Sequence, residues 1–425
     1  VNVFIARQPI LDATRTAVGY ELLFRDGLVN AFAAANGTDA TRQVMLNTFV
    51  LFGLQRLTGG RPAFVNITRE ALLSDLLTLF PPHSLVIEVL ENVAPDPDVI
   101  AGCKRLKLAG YTIALDDVRS LEPYGPLLEL ADILKVDYRG TTPQGRQELA
   151  KRFAGTPVRL LAEKVESHEE FRQSVDQGFA LFQGYFFARP ETLRQGDVPG
   201  NRLQYTRLLK ELQRPELSMQ ELETIIKQDI ALSYRLLKYI NSSLFGLRTE
   251  VNSVRHALTL MGERDIRRWS TLATLTALAP DKPAPLLETG LARARLCETL
   301  GPLLGGSVRE SGDELFLLGL FSVLDAILDI AMPEALRDIA VPSRVKAALL
   351  GMPGQLRTLL DLAIGYEHGD WEGTSATMAH LGLVPEALNM AYVAAVEWAH
   401  QACAVGAGHV SSLPPARGLA ARTGH

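Results

Sequence analysis

Cysteine is scarce: only Cys103, Cys297 and Cys403 occur in 425 residues, and none lies in a C-x-x-C spacing. That excludes a disulfide framework and a thiolate zinc site, and it suits a reducing compartment. An excess of positive charge is missing as well, since 43 Lys and Arg stand against 48 Asp and Glu for a net charge of -5. No whole-chain field attracts a nucleic-acid polymer or an anionic membrane, so a phosphate-bearing ligand has to be held locally or through metal ions. Long apolar runs are also lacking. The most apolar stretch, 315–332, is interrupted by Asp325 and Asp329, whereas a bilayer span needs about 20 uninterrupted apolar residues. No membrane helix and no signal peptide are expected. What remains, 47% hydrophobic and 21% charged residues, is ordinary globular composition, and the length calls for two or three domains.

The first 190 residues alternate short β-branched or aromatic runs with amphipathic segments. Strands are expected at 3–5, 18–24, 63–66, 85–89, 111–115, 133–136, 158–162 and 179–187, and helices at 41–54, 70–79, 98–108, 143–153 and 166–175. That alternation predicts a parallel α/β architecture, and about eight strands suit a closed barrel. Only Leu11-Asp12-Ala13-Thr14 separates the first two runs, which predicts a hairpin there. After Arg189-Pro190 comes a polar stretch with Gly196, Pro199 and Gly200, the composition of a linker. Beyond it the pattern is helical. Ser218 and Glu221 form a capping box ahead of Leu222, Ile225, Ile226 and Ile230, and further helical periods run through 253–261, 265–278, 287–300, 314–330, 343–350, 356–366 and 385–401. The expected organisation is a barrel domain over 1–190, a linker over 191–201, an all-helical domain over 202–403 and a flexible tail over 404–425.

Barrels of this kind place their chemistry at the C-terminal strand ends, so polar residues closing apolar runs are the ones to collect. They are Glu21, Asn66, Glu88, Asp116-Asp117, Lys135, Glu163 and Gln183. Five carboxylates, two carboxamides and one Lys aimed into one mouth would repel heavily without cations among them. Oxygen ligands with no His or Cys favour Mg²⁺ or Mn²⁺ over zinc, and two such ions can activate a water and clamp a phosphodiester.

These residues carry a resemblance to the EAL domains, metal-dependent phosphodiesterases that linearise cyclic di-GMP, across nearly all of residues 3–190. It rests on Gln8-Pro9-Ile10, Glu21-Leu22-Leu23 at the signature position, Val65-Asn66, Ile87-Glu88 with Glu91, Asp116-Asp117, Leu134-Lys135-Val136-Asp137, Ala162-Glu163-Lys164-Val165-Glu166 and Gln183-Gly184-Tyr185-Phe186. The resemblance implies an EAL-type (β/α)8-like barrel in which Glu21, Asn66, Glu88 and Asp116 hold one ion, with Asp116, Asp117 and Glu163 near a second. It implies that Lys135 orients or deprotonates the attacking water and that Gln183 contacts the site. Gln8 and Arg25 would touch the dinucleotide, Arg25 pairing a phosphate. Two departures stand out. The signature reads Glu-Leu-Leu in place of Glu-Ala-Leu. The usual Phe-Gly-Thr-Gly-Tyr-Ser loop after the paired aspartates is replaced by Val118-Arg119-Ser120-Leu121-Glu122-Pro123-Tyr124-Gly125.

The helical half resembles the HDOD domains, relatives of HD-type metal phosphohydrolases without the metal-binding pair. The matching stretches are 236–242, Phe245-Gly246, Val254-Arg255-His256-Ala257-Leu258, Met261-Gly262 and Tyr366-Glu367-His368-Gly369-Asp370-Trp371. Where an HD enzyme carries its His-Asp ligands this chain reads Gly319-Leu320-Phe321-Ser322-Val323-Leu324-Asp325. His256 reads as a capping or core-edge residue, His368 beside Asp370 and Trp371 as a helix-end turn, and Arg264, Arg267 and Arg268, interleaved with Glu263 and Asp265, as a solvated face. The function implied is a cytoplasmic bacterial signalling protein that hydrolyses cyclic di-GMP to linear pGpG. Its HDOD module would serve regulation or a protein partner, and pairing as a homodimer is compatible with the EAL resemblance. A second reading stays open: a non-catalytic receptor or protein-protein scaffold, suggested by the altered loop after Asp117.

Overall fold

The computed structural model describes residues 4–25, 54–191, 212, 214, 216–228, 230–241, 251–278, 282–304, 312–337 and 341–406. Eight strands close into a barrel in sequence order: β1 (Phe4–Asp12), β2 (Ala17–Arg25), β3 (Ala63–Ile67), β4 (Leu85–Val89), β5 (Thr112–Leu115), β6 (Ile133–Asp137), β7 (Arg159–Glu163) and β8 (Leu181–Gln183). β1 runs antiparallel to both β2 and β8, and every other neighbouring pair is parallel. The expected hairpin is therefore present. Around the barrel lie α1 (Leu54–Thr58), α2 (Arg69–Leu73), α3 (Pro97–Leu108), α4 (Pro143–Phe153) and α5 (His168–Asp176). Asp96, Thr142 and Ser167 start the last three by accepting backbone N–H bonds at their N-caps.

The helical half comprises α6 (Met219–Lys227), α7 (Ile230–Ile240), α8 (Val254–Leu278), α9 (Ala284–Leu300), α10 (Gly312–Phe321), α11 (Leu324–Leu328), α12 (Met332–Ala335), α13 (Ser343–Leu349), α14 (Gln355–Glu367), α15 (Trp371–Leu381) and α16 (Pro385–Gly406). Ser218 accepts from the Glu221 amide as the capping box requires, and Gly262 breaks α8 at the expected boundary with φ 74°. No described helix is long and apolar enough to cross a membrane. The expected helix at 41–54, except for Leu54, the linker after Glu191 and the tail beyond 406 lie outside the described residues.

Three expected elements change, each for a local reason. The helix at 70–79 stops at Ser74, whose backbone turns extended, and resumes as a 3₁₀ turn over Leu76–Leu79. The run 314–330 splits at Ser322 and Val323 into α10 and α11. The strand at 179–187 shrinks to Leu181–Gln183 because Gly184, at φ 147°, lets the Val165 carbonyl come so close that a Cβ would sit 1.9 Å from its oxygen.

Strand alternation builds the barrel interior in two layers. The lower one is apolar: Ile10, Phe64, Val86, Ala114, Ile133, Leu161 and Leu181 pack as one buried cluster. Two residues along each strand toward the mouth, the same inward-facing rows carry Gln8, Asn66, Glu88, Asp116, Lys135, Glu163 and Gln183. The intervening residues, such as Val65, Ile87, Leu134 and Phe182, face out into the main core. On the β8-β1-β2 side that outer core is shared with the helical half. Phe4 packs on Tyr366 and Trp371 at centroid distances of 6.0 and 5.8 Å, the Ile5 amide donates to the Tyr366 hydroxyl at 3.2 Å, and the Tyr185 hydroxyl donates to the Glu367 carbonyl at 2.9 Å.

Candidate active site

Lys135 stands at the centre of the upper layer, completely buried on β6. Its Nζ lies 2.8 Å from Glu88 Oε1, 2.8 Å from Asp116 Oδ1, 3.0 Å from Glu163 Oε1 and 3.3 Å from Glu21 Oε2. One ammonium thus faces four carboxylates. The imbalance sets the protonation: the surrounding negative charge outweighs burial and holds Lys135 charged well above its ordinary range. Burial, only partly offset by Lys135 and reinforced by neighbouring carboxylates, pushes Glu88 well above the usual carboxylate range and Glu163 up to about 7.

Glu21 is the hydrogen-bonding hub. It sits opposite Gln8 in the hairpin register and accepts from Asn66 Nδ2 at 3.2 Å and from Gln183 Nε2 at 2.5 Å, while the same Gln183 nitrogen donates to Gln8 Oε1 at 2.8 Å. Oxygens are left over. Asn66 Oδ1, Gln183 Oε1 and Glu88 Oε2 are buried without a hydrogen-bond partner, in a layer where Lys135, the one cation there among the described residues, is shared four ways. Buried acceptors of this kind call for a positive charge or a donor, and all of them are hard oxygen donors suited to Mg²⁺ or Mn²⁺. Among the described residues no group of three or more His, Cys, Asp and Glu side chains is drawn together as a finished coordination shell; the carboxylates converge on the ammonium instead.

Eight of the ten residues singled out in the sequence therefore meet in one layer: Gln8, Glu21, Asn66, Glu88, Asp116, Lys135, Glu163 and Gln183. Arg25 ends β2, and its side chain lies outside the described residues. Asp117 is set apart. Its backbone is left-handed, φ 47°, and its carboxylate pairs with Arg119 at 3.0 Å and with Lys164 Nζ at 3.5 Å. Both cations also reach Asp137, at 3.3 and 2.8 Å. Lys164 shares the left-handed conformation, φ 56°, so two rare backbone states fall just past the ends of β5 and β7, on either side of β6.

The strand-end motifs contain Asp137 and Lys164 without assigning them a role, and nothing in the loop sequence marks Arg119 as a contact of Asp137. The signal for Asp137 was its place two residues beyond Lys135 on an inward-facing row. The substituted loop is anchored too: the Val118 amide donates to the Lys135 carbonyl at 2.7 Å, and the Tyr124 hydroxyl donates to the Asp116 carbonyl at 2.7 Å.

In the helical half, Arg264 and Arg268 both bridge Glu298 and Asp313, and Arg267 pairs with Glu263 at 2.5 Å, so these guanidinium groups are engaged with carboxylates. His256 is exposed on α8 with its amide capped by Ser253. At the position of the HD ligands, Ser322 accepts from Arg293 at 3.2 Å, and Arg293 donates to Glu367 at 2.8 Å in a buried ion pair.

Comparison with known proteins places residues 3–190 in the family described as the EAL domain and residues 202–348 in that described as the HDOD domain. The chain is similar to the cyclic di-GMP phosphodiesterase CdgJ of Vibrio cholerae, 33% identical over 400 residues that cover 93% of this chain and 92% of that protein. It is 34% identical over 410 residues to the uncharacterized protein YuxH of Bacillus subtilis, covering 94% of this chain and 98% of YuxH. Among solved structures, a standalone versatile EAL protein from Vibrio cholerae in its c-di-GMP bound form is 25% identical, with a TM-score of 0.34, over 44% of this chain and 91% of that one.

Proposed function

The chain belongs to the family in which an EAL domain is followed by an HDOD domain, and we propose that it hydrolyses cyclic di-GMP to linear pGpG with Mg²⁺ or Mn²⁺. The observation that carries the reading is the upper barrel layer, in which four carboxylates and two carboxamides converge with buried oxygens left unpartnered. That CdgJ, similar over nearly its whole length, is a cyclic di-GMP phosphodiesterase supports the same reaction.

Glu21, Asn66, Glu88 and Asp116 would hold the first ion, with Glu163 and Asp117 nearest a second. When bound, such ions polarise the phosphodiester and acidify a water. The chain's own residues supply the rest. Lys135 keeps the carboxylates converged and presents an ammonium proton to the attacking water or the phosphate oxygens. Gln183 donates from one nitrogen to both Glu21 and Gln8 and so holds the two together where a dinucleotide would sit. Gln8 and Arg25 would bind the dinucleotide, Arg25 through a phosphate.

The helical half would serve regulation or recruitment of a protein partner. Support comes from Arg293, whose buried guanidinium occupies the neighbourhood where HD enzymes carry their ligands.

The test is incubation of the purified chain with cyclic di-GMP and Mg²⁺ or Mn²⁺, followed by chromatography of the linear product. Product is expected, and EDTA should abolish it; turnover that survives EDTA would sink the metal mechanism.

One observation favours the non-catalytic reading: Arg119 places a positive charge on the Asp117 carboxylate, at the position where the family pattern has a small, flexible loop. Because the guanidinium is half-exposed to solvent, its hold is weak, worth about 1 kcal/mol or less. Arg119→Gly is accordingly expected to tighten Mn²⁺ binding by about threefold to fivefold, read by calorimetry. Unchanged affinity would mean that Asp117 takes no part in holding an ion.

A further inference from the structure

The polar layer takes Gln8 and Glu21 from one face of β1 and β2, and the opposite face of these two strands is gripped by the helical half. Alternation makes this unavoidable: Gln8 and Glu21 point inward, so their neighbours Arg7 and Tyr20 point outward. Both end on one carboxylate of α9. Tyr20 Oη donates to Glu288 Oε2 at 2.9 Å, and an Arg7 guanidinium nitrogen lies 3.3 Å from the same oxygen. The Arg7 guanidinium also stacks 4.4 Å from the Tyr20 ring centroid and donates to the Leu57 carbonyl at 2.6 Å. From α16, His400 contacts Arg7 and puts its Nδ1 3.4 Å from Glu288 Oε2. Every side chain of this junction is buried or nearly so: Arg7 and Glu288 keep 7% and 9% of their side-chain surface. Although burial would push Glu288 up, His400, Arg7 and Tyr20 together hold it at about 2, so it is ionised at every working pH.

We infer that Glu288 is a positioning residue for the barrel site, fixing β1 and β2 from outside so that Gln8 and Glu21 are held in register at the cation layer. The inference rests on the reading of that layer as a cation and cyclic di-GMP site. It makes the helical half a structural part of the site: a movement of α9 relative to α16 would be transmitted through one residue of strand to Glu21.

Two variants of the full chain test this, Glu288→Ala and the milder Tyr20→Phe, which removes only the hydroxyl. Leu336→Ala, in the core of the helical half on no element of the junction, controls for general destabilisation. Two readouts are needed: Mn²⁺ affinity by calorimetry, and hydrogen exchange of the β1 and β2 amides against those of β4 to β6. Both junction variants should speed exchange in β1 and β2 selectively. Glu288→Ala should weaken Mn²⁺ binding by about tenfold, the size of effect seen when an outer partner of a ligand is lost, whereas Leu336→Ala should leave both unchanged. Should Glu288→Ala and Tyr20→Phe keep the exchange pattern and Mn²⁺ affinity of the unaltered chain, the positioning role is wrong. An equal fall in affinity with Leu336→Ala would overturn it as well. Unaltered protein that binds no Mn²⁺ would overturn the reading of the barrel site, a failure recognised apart from that of Glu288 because exchange reports the junction without metal.

Discussion

Hydrolysis of cyclic di-GMP by Glu21→Ala should fall by about a thousandfold or more, the scale on which loss of a cation's transition-state charge stabilisation is felt. Glu21 is the one side chain of the layer that accepts from Asn66 and Gln183 and also faces Lys135. Its truncation removes a candidate ion ligand and frees two carboxamides at once. Stability should not fall in proportion. One negative charge leaves a group in which four carboxylates share one ammonium, so relief of repulsion offsets the small cavity. The measurement pairs a product assay with a melting curve. Activity within tenfold of the unaltered chain, in a reaction that EDTA stops, would remove Glu21 from the ion-binding set; a lost fold would show that the layer is structural first.

Lys135→Met should strike stability hardest. The ammonium is completely buried, and because its folded pKa is raised, the stability it contributes is fully present below its ordinary value of about 10.5. Deleting it leaves Glu21, Glu88, Asp116 and Glu163 facing one another across a dry space, at a cost of about 3–5 kcal/mol. Urea unfolding reads this directly. The loss should be larger at pH 8 than at pH 5.5, since the carboxyl groups relieve repulsion by taking up protons as pH falls. Added Mn²⁺ should restore part of it by supplying the missing charge. A cost below about 1 kcal/mol at pH 8 would mean that the layer opens to water and that Lys135 is no keystone.

How much of this was legible beforehand varies residue by residue. Six strands carry an apolar residue, a spacer and a polar residue in the same phase: Phe64-x-Asn66, Val86-x-Glu88, Ala114-x-Asp116, Ile133-x-Lys135, Leu161-x-Glu163 and Leu181-x-Gln183. Because the side-chain period of a strand is two, that pattern already says that each polar residue shares a face with the apolar one beneath it. Where the helix and strand periods compete, the reading is less sharp. The helix expected at 70–79 ends at Ser74 because an extended cap residue interrupts it, and 314–330 splits where Ser322 turns back to accept from Arg293. Neither break has a Gly or Pro to announce it. Asp117 follows Asp116 directly in the sequence, but both lie past the end of β5 at Leu115, and a left-handed backbone at Asp117 turns its carboxylate toward Arg119 and Lys164.

Local period and polar spacing, read from the sequence by itself, determined that the N-terminal half is an eight-stranded barrel with an acidic layer at its strand ends and that the C-terminal half is helical. Tertiary structure alone decided that one ammonium is shared among four carboxylates, that Asp117 is drawn out of their ring, and that Glu288, 267 positions after Glu21 in the chain, grips the neighbour of Glu21 from behind. The reason is physical. Periodicity encodes which face a side chain takes, a property of a few consecutive residues, whereas charge sharing and docking depend on distances between segments far apart in sequence, and only the closed fold sets those.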